Sequence, residues 1–527
     1  MRTVLFGLDG ATYTVLDHLM RKGIMPNLKR FCEEGTRSEL MSTPLPITPQ
    51  AWTTLATGRS MGNHGIHDFI RGEVGSQGMY FRINDSRDID CETVWHYASR
   101  CHRRVTVLNY YGVAPPEPIL GHSMPGFVSG RHLRRSSYPS DLFARLQEVE
   151  EFDVGVLGMN LDIEKKSLQA MDEDQWLEWI NHHIKRERVW FGVMEHLMIN
   201  EPSDLTAIVF DGVDKIQHLA YAFLDPDLLP KQPTAWEKEV QDRCEAYFKQ
   251  IDDFLGRTIE LLGKWGRVFI ASDHGFTGTH EIVYINKWLH DEGLLVWQES
   301  AQDENESIIV DRMKNHANLI DWENTTAYAF MPSCNGIFIQ NVPQAEYLGF
   351  RDKLIERLYN IKAPDGGNVV VDIKCREEWF PGPHMNRVPD LTLTLRDHGF
   401  ISILNSRNVV VPRTRPAGTH HPHGILLGRG PGIPQGAEVE LQNIIDVTPL
   451  LVHSLGLEIP AEYEGTFPDS FYEPEYLSSD PPRLAEPVES ALREVSASSS
   501  ATDPSYEMDA EDEQAVLERL KSLGYIE

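Results

Sequence analysis

The stretch Pro46-Ile47-Thr48-Pro49-Gln50-Ala51-Trp52-Thr53-Thr54-Leu55-Ala56-Thr57-Gly58 organises the chain. Pro49 predicts the first position of a helix, where its missing N–H costs nothing. Thr48 then falls at the N-cap, with its hydroxyl beside the free amides of the first turn. Two readings stand open for Thr48. It caps the helix and does no more, or it is a nucleophile, because a helix N-terminus favours an anion such as phosphate. A free hydroxyl is a poor nucleophile and needs a base or a metal ion to activate it. The rest of the chain decides between them by what ligands it supplies.

Outward from this stretch, residues 2–8 read as a buried strand, an apolar run ended by the turn Asp9-Gly10. Asp9 falls at the carboxyl end of that strand, where open α/β sheets place their ligands. Thr206-Ala207-Ile208-Val209-Phe210 is a second such strand, and Asp214 and His218 follow it four residues apart. On a helix that spacing puts both on one face. Arg267-Val268-Phe269-Ile270-Ala271 is a third strand and ends in Ser272-Asp273-His274-Gly275. Helices are expected at 12–22, 26–34, 174–198, 235–264 and 443–455. Strand pattern returns at Leu391-Thr392-Leu393-Thr394-Leu395 and at Ile425-Leu426-Leu427, the latter preceded by the loop Gly418-Thr419-His420-His421-Pro422-His423-Gly424.

Strands alternating with helices predict an α/β fold with a doubly wound, largely parallel central sheet and helices on both faces. The pattern divides the chain into core 1–80, an insertion 81–200 that is a lid candidate, core 201–284, a second insertion 285–385, core 386–470, an acidic disordered linker 471–511 and a C-terminal helix 512–527.

Bulk properties set limits. With 527 residues and 41% hydrophobic content, one large domain with insertions, or two to three domains, can be built. A formal net charge of −30 argues against a nucleic-acid duplex as partner. It leaves a small phosphorylated substrate open, because bound cations dominate the charge inside a site. Cys32, Cys91, Cys101, Cys244, Cys334 and Cys375 form no Cys-x-x-Cys pair, and their density is too low for a disulfide scaffold. The run Thr3–Leu8 is too short for a signal peptide, and no run approaches the roughly 18 apolar residues of a membrane span. A cytoplasmic protein is expected.

Asp9, Thr48, Asp273 and His274 make one candidate site; Asp214, His218 and His420 make the other. Taken singly, each has a bland alternative: a turn residue, a surface pair, a cap, a solvated loop histidine. Jointly, they offer the mixed carboxylate and imidazole donors that suit two divalent metal ions, zinc first and manganese second. Two ions roughly 4 Å apart clamp the attacking and leaving oxygens of a phosphoryl transfer.

These segments resemble the nucleotide pyrophosphatase/phosphodiesterase branch of the alkaline phosphatase superfamily. The matching motifs are Leu8-Asp9-Gly10, the Thr48-Pro49 helix with Thr57-Gly58 and His64-Gly65-Ile66, Asp214-x-x-x-His218, Ser272-Asp273-His274-Gly275 and Gly418-Thr419-His420, in the family's order. The resemblance implies Thr48 as nucleophile, with Asp9, Asp273 and His274 holding the metal that activates it. Asp214, His218 and His420 would hold the second metal beside the leaving oxygen. It implies in-line attack, a phosphothreonine intermediate, its release by water, and nucleotide-like substrates.

The chain also departs from the pattern. Where secreted members carry an asparagine that contacts the phosphate, counting from Thr48 gives Phe69, with His67 and Asp68 nearby. His423 is a rival to His420 for the last ligand position. A phosphomonoesterase or a metal-dependent phosphomutase of the same superfamily is the neighbouring alternative; a catalytically silent binding protein is the non-enzyme one. A sulfatase is disfavoured because Thr48-Pro49-Gln50 does not fit its nucleophile motif. A haloacid-dehalogenase mechanism needs an aspartate two residues before Asp9, where Gly7 stands. Lys165, Lys166, Lys185, Arg186, Arg188, His384 and Arg387 are the cations in or beside the insertions that a charged leaving group could meet.

Overall fold

The structure is a computed structural model that describes residues 1–75, 78–149, 151–158, 172–298 and 319–486. Its frame is set by the strand Thr3–Leu8, in which every residue is buried. Leu5 packs on one face with Leu205, Ala207, Val209, Phe269 and Ala271. Val4, Phe6 and Leu8 pack on the other with Ile208, Phe210, Val268 and Ile270. Successive side chains of a strand point to opposite faces, so these uninterrupted apolar runs mark a sheet covered on both sides. Helices Tyr13–Arg21, Pro26–Glu33, Glu173–Asn200 and Ala235–Leu262 cover one face; Thr48–Thr57, Val94–Arg100 and Val447–Ser454 cover the other.

The main sheet runs, in spatial order, Ala437–Glu438, Thr36–Met41, His423–Arg429, Arg267–Ala271, Thr3–Leu8, Leu205–Phe210, Val105–Leu108 and Gly121–Met124. The strands from Arg267–Ala271 to Gly121–Met124 are all parallel, and His423–Arg429 runs antiparallel to both its neighbours. The expected doubly wound, largely parallel α/β sheet is therefore the observed one. The ends of Thr3–Leu8, Leu205–Phe210 and Arg267–Ala271 open on the same edge, which brings Asp9, the Asp214 helix and Asp273 together.

The expected segment boundaries move in three places. Val105–Leu108 and Gly121–Met124 belong to the main sheet, so 81–200 is not simply an insertion. These strands have four residues each, too few to stand out beside a proline-rich loop. Leu391–Leu395 joins a separate antiparallel sheet with Ala327–Tyr328, Gly336–Ile339 and Val370–Cys375, so the second insertion reaches past 385. An alternating pattern identifies a strand but not its neighbour. The linker does not begin at 471. Phe471 and Tyr472 are buried, Pro474–Ser479 is helical, and the Arg267 guanidinium lies over the rings of Tyr472 and Tyr476 at 5.1 and 4.9 Å. The linker from 487 on, the 512–527 helix, Lys165 and Lys166 lie outside the described residues.

The small sheet forms a cap anchored close to the Thr48 helix. Ser333 donates to Asp68 Oδ2 at 2.6 Å, and His384 Nε2 meets Asp90 Oδ2 at 3.1 Å. A Cβ on Gly62 would come within 2.2 Å of the Pro381 carbonyl oxygen, so only glycine allows this approach.

Under the helix Gly212–Ala220 lies a buried ionic network. Arg186 and Lys215 both pair with Asp211, Lys215 at 2.8 Å, and all three side chains are 2% exposed. Arg186 also donates to Asn109 Oδ1 at 3.1 Å, and Glu187 Oε1 accepts from the Gly212 amide at 2.7 Å. Arg186 is thus tied into the fold beneath this helix. Removing one partner of a buried pair leaves a charge uncompensated, which costs about 3–5 kcal/mol. With Lys215 still in place, Arg186→Met is expected to lose about 2–3 kcal/mol, at the lower end of that scale or just below it. Adding Asp211→Asn should deepen the loss, because it leaves the buried Lys215 ammonium without its partner, as read from urea unfolding.

Candidate active site

Thr48 opens the helix Thr48–Thr57 but does not cap it. Ile47 is the N-cap, extended at φ −122° and ψ 136°, and its carbonyl accepts the first helical bond from Ala51 N at 3.0 Å. Pro49 therefore stands one position further in than its sequence preference predicts. No side chain caps this helix, and the Thr48 hydroxyl lies 3.5 Å from His274 Nε2.

Beside His274 the structure gathers two groups. In the first, candidate ligand atoms of Asp9, Asp273 and His274 lie within 4.8 Å of one another; His274 Nε2 is 3.7 Å from Asp9 Oδ1 and 3.2 Å from Asp273 Oδ2. In the second, Asp214, His218 and His420 meet the same measure. Asp214 Oδ1 lies 3.3 Å from His218 Nε2 and 3.2 Å from His420 Nε2. The rings of His274 and His420 stack at 3.6 Å between centroids, which sets the groups side by side. All seven sequence-predicted site residues are thus brought together. His420 comes from the strand Val410–His421, opposite Phe276, rather than from the expected loop. His423 points elsewhere, its Nδ1 2.9 Å from the exposed Glu39 carboxylate.

Second contacts orient these donors. The backbone carbonyls of Gly275 and Pro46 sit 3.1 and 2.5 Å from Nδ1 of His274 and His420. Each can accept a hydrogen bond from Nδ1–H, which fixes the tautomer and turns Nε2 toward the site. Trp52 Nε1 donates to Asp9 Oδ2 at 3.3 Å. The sequence reading missed Trp52, although its position four residues after Thr48 puts it on the same helix face. Phe276 and Phe400 rings pack against His420 at 5.3 and 5.1 Å; nothing in their spacing signals this.

Electrostatically the site is short of positive charge. Asp9 Oδ1, Asp214 Oδ1 and Asp273 Oδ2 are buried and, among the described residues, accept no hydrogen bond. Burial, then the charges of Asp273 and Asp214, raise Asp9 well above the usual carboxylate range. Burial pushes Asp273 up to about 8, the Gly10 amide opposing it and Asp214 adding to it. Burial also works against ionised Asp214, but the imidazoles of His218 and His420 outweigh it and hold the carboxyl low. Orphaned carboxylate oxygens beside inward-facing imidazole nitrogens are the donor set a divalent cation satisfies.

Of the cations considered for a leaving group, Lys185 pairs with Asp153 at 2.9 Å and Arg188 donates to Gln250 at 3.1 Å. Arg387 is exposed near the cap's contact with the core. Phe69 is buried, its ring edge-on to Tyr111 at 5.8 Å.

The chain matches the family model described as type I phosphodiesterase / nucleotide pyrophosphatase over residues 3–424, and it belongs to that family. Over 238 residues it is 24% identical to bis(5'-adenosyl)-triphosphatase ENPP4 of Homo sapiens, 44% of this chain and 42% of that protein. The Pongo abelii counterpart is 25% identical over 234 residues. The chain thus spans about two fifths of the length of these curated relatives. Among solved structures, murine ectonucleotide pyrophosphatase/phosphodiesterase 5 superposes with a TM-score of 0.52 at 15% identity, covering 90% of this chain and 100% of that one. Its inactive variant in complex with AMP gives 0.51 at 15%, covering 89% and 98%. Phosphonoacetate hydrolase from Sinorhizobium meliloti 1021, in complex with phosphonoformate, gives 0.50 at 16%, covering 86% and 96%. At these identities the structural likeness is one of fold. Among the described residues no helix is long and apolar enough to cross a membrane.

A ligand that binds only the folded state stabilises it by mass action, by about 2.7 kcal/mol at a hundredfold excess over Kd. Zinc or manganese is accordingly expected to raise the melting midpoint and EDTA to reverse the rise. Asp273→Asn and His420→Ala should each remove a large part of the increment in calorimetry, whereas His423→Ala should keep it.

Proposed function

We propose that the protein is a metal-dependent phosphoryl-transfer hydrolase, a phosphodiesterase or nucleotide pyrophosphatase, with Thr48 as its nucleophile. The observation that carries this reading is the gathering of three unsatisfied carboxylate oxygens and three imidazoles into two adjoining groups, with His274 of the first 3.5 Å from the Thr48 hydroxyl. Asp9, Asp273 and His274 would hold one divalent ion, and Asp214, His218 and His420 a second; zinc suits the donors first and manganese next. Cations bound there supply the charge that lowers the hydroxyl pKa and offsets charge on the oxygens of the phosphoryl group.

The chain's own residues do the rest. Thr48 Oγ1 gives up its proton to solvent and attacks phosphorus in line as the bond to the leaving oxygen breaks, and that oxygen takes a proton from solvent and departs as an alcohol or phosphate. The positive end of the Thr48–Thr57 helix dipole faces a non-bridging oxygen. Water then attacks the phosphorus of the phosphothreonine, releasing the Thr48 hydroxyl. Trp52 holds Asp9, and the Gly275 and Pro46 carbonyls fix the imidazole tautomers, so little reorganisation accompanies the step. The relatives named above support small nucleotide-like substrates. The acidic net charge and the cytoplasmic expectation from the sequence are compatible with this reading.

Phe69 favours a second reading for substrate choice. By the count from Thr48 it stands where secreted members carry a phosphate-contacting asparagine, and its apolar ring offers a phosphate no hydrogen bond, which fits a monoesterase or a mutase of the same superfamily. Paired chromogenic substrates, one a phosphate diester and one a monoester, test both. With zinc or manganese added, a phosphodiesterase cleaves the diester faster, and Thr48→Ala lowers that rate by at least about a thousandfold while still binding metal. Faster monoester cleavage would support the second reading. Undiminished turnover in Thr48→Ala would sink the threonine mechanism.

A further inference from the structure

We infer that Gln217 is a positioning residue that braces the two candidate metal groups against each other through Gly10; this rests on the metal reading above. Gln217 lies on the helix Gly212–Ala220, beside His218 and one turn from Asp214, and its side chain is fully buried. Its amide nitrogen donates to the Gly10 carbonyl oxygen at 2.7 Å. The Gly10 amide in turn donates to Asp273 Oδ1 at 3.0 Å. Gly10 also follows Asp9 directly. One glycine thus links two ligands of the first group to the helix that carries two ligands of the second.

Four further observations give this link its purpose. Gly10 has φ +67°, and a Cβ there would meet the Phe276 ring at 2.8 Å, so the turn is held in one shape. Phe276 also packs edge-on against His218 at 4.8 Å, so the same ring backs both groups. A Cβ on Gly418 would come within 2.1 Å of the Gln217 carbonyl oxygen, which presses the strand of His420 onto Gln217. Meanwhile Gln217 Oε1 is buried and, among the described residues, has no hydrogen-bond partner. A core position needing only volume would be filled without that penalty by an apolar side chain. The amide is kept for its one bond. Outer residues of this kind change metal affinity by about ten- to a hundredfold when removed.

The test is zinc titration of the whole protein by calorimetry, with each group isolated in turn. Asp273→Asn leaves the second group to report, and His218→Ala leaves the first. Gln217→Met, which keeps the volume and loses the bond, is expected to weaken the remaining site about tenfold in both backgrounds, while the melting midpoint of metal-free protein stays close to its parent's. Trp52→Phe, which removes the indole N–H that donates to Asp9, should weaken only the first group. Should Gln217→Met not fold, Gln217→Leu, which is apolar and also lacks the donor to the Gly10 carbonyl, is expected to weaken both sites as well. Weakening confined to the second group would overturn the bracing role. Unchanged zinc affinities with a lowered melting midpoint would also overturn it and make Gln217 a packing residue only. Parent protein that binds neither zinc nor manganese would instead bring down the metal reading itself, a result separate from either of these.

Discussion

Three carboxylates held in one buried space are the constraint on which this protein's architecture turns. Like charges separated by about 5 Å repel by roughly 3–4 kcal/mol at an effective dielectric near 20. A single net hydrogen bond contributes about 1 kcal/mol. The contacts from Trp52 and Gly10 to Asp9 and Asp273 therefore orient the carboxylates without balancing them. The raised positions of Asp9 and Asp273 on the proton scale express this imbalance. A sheet covered on both faces supplies the rigidity to keep such groups together, and its strand ends supply the place.

The parallel strands each contribute one element of the site at the same edge. Asp9 ends Thr3–Leu8, the Asp214 helix follows Leu205–Phe210, and Asp273 and His274 follow Arg267–Ala271. The Thr48 helix arrives from the opposite face of the sheet to that covered by Glu173–Asn200. Below the Asp214 helix, the Arg186–Asp211–Lys215 network pins its first turn. Near the Thr48 helix, the cap closes on the core through Asp68 and Ser333 and through His384 and Asp90. The site is thus built between layers that are each fixed independently.

Much of this was legible in the sequence because it rests on local rules. Apolar runs ended by Asp-Gly or Ser-Asp-His read directly as buried strands with polar ends, and the Asp214–His218 spacing fixed a shared helix face. What escaped depends on distance in space. Whether Thr48 caps its helix is settled by the carbonyl of Ile47 and by His274, which lies 226 residues away in sequence. Val105–Leu108 is too short to signal membership of the main sheet, and Leu391–Leu395 carries no mark of which sheet it joins. Trp52 and Gln217 look like ordinary helix residues until their partners Asp9 and Gly10 are seen. Arg186, a surface cation by composition, proves to be buried because Asp211 waits for it.

The central claim is that two cations complete this site around Thr48. The most direct measurement is a crystal structure of the Thr48→Ala protein grown with zinc, with anomalous diffraction collected on both sides of the zinc edge. The account predicts two anomalous peaks, one among Asp9, Asp273 and His274 and one among Asp214, His218 and His420. Peaks elsewhere, or none at either group with zinc bound to the crystal, would contradict it.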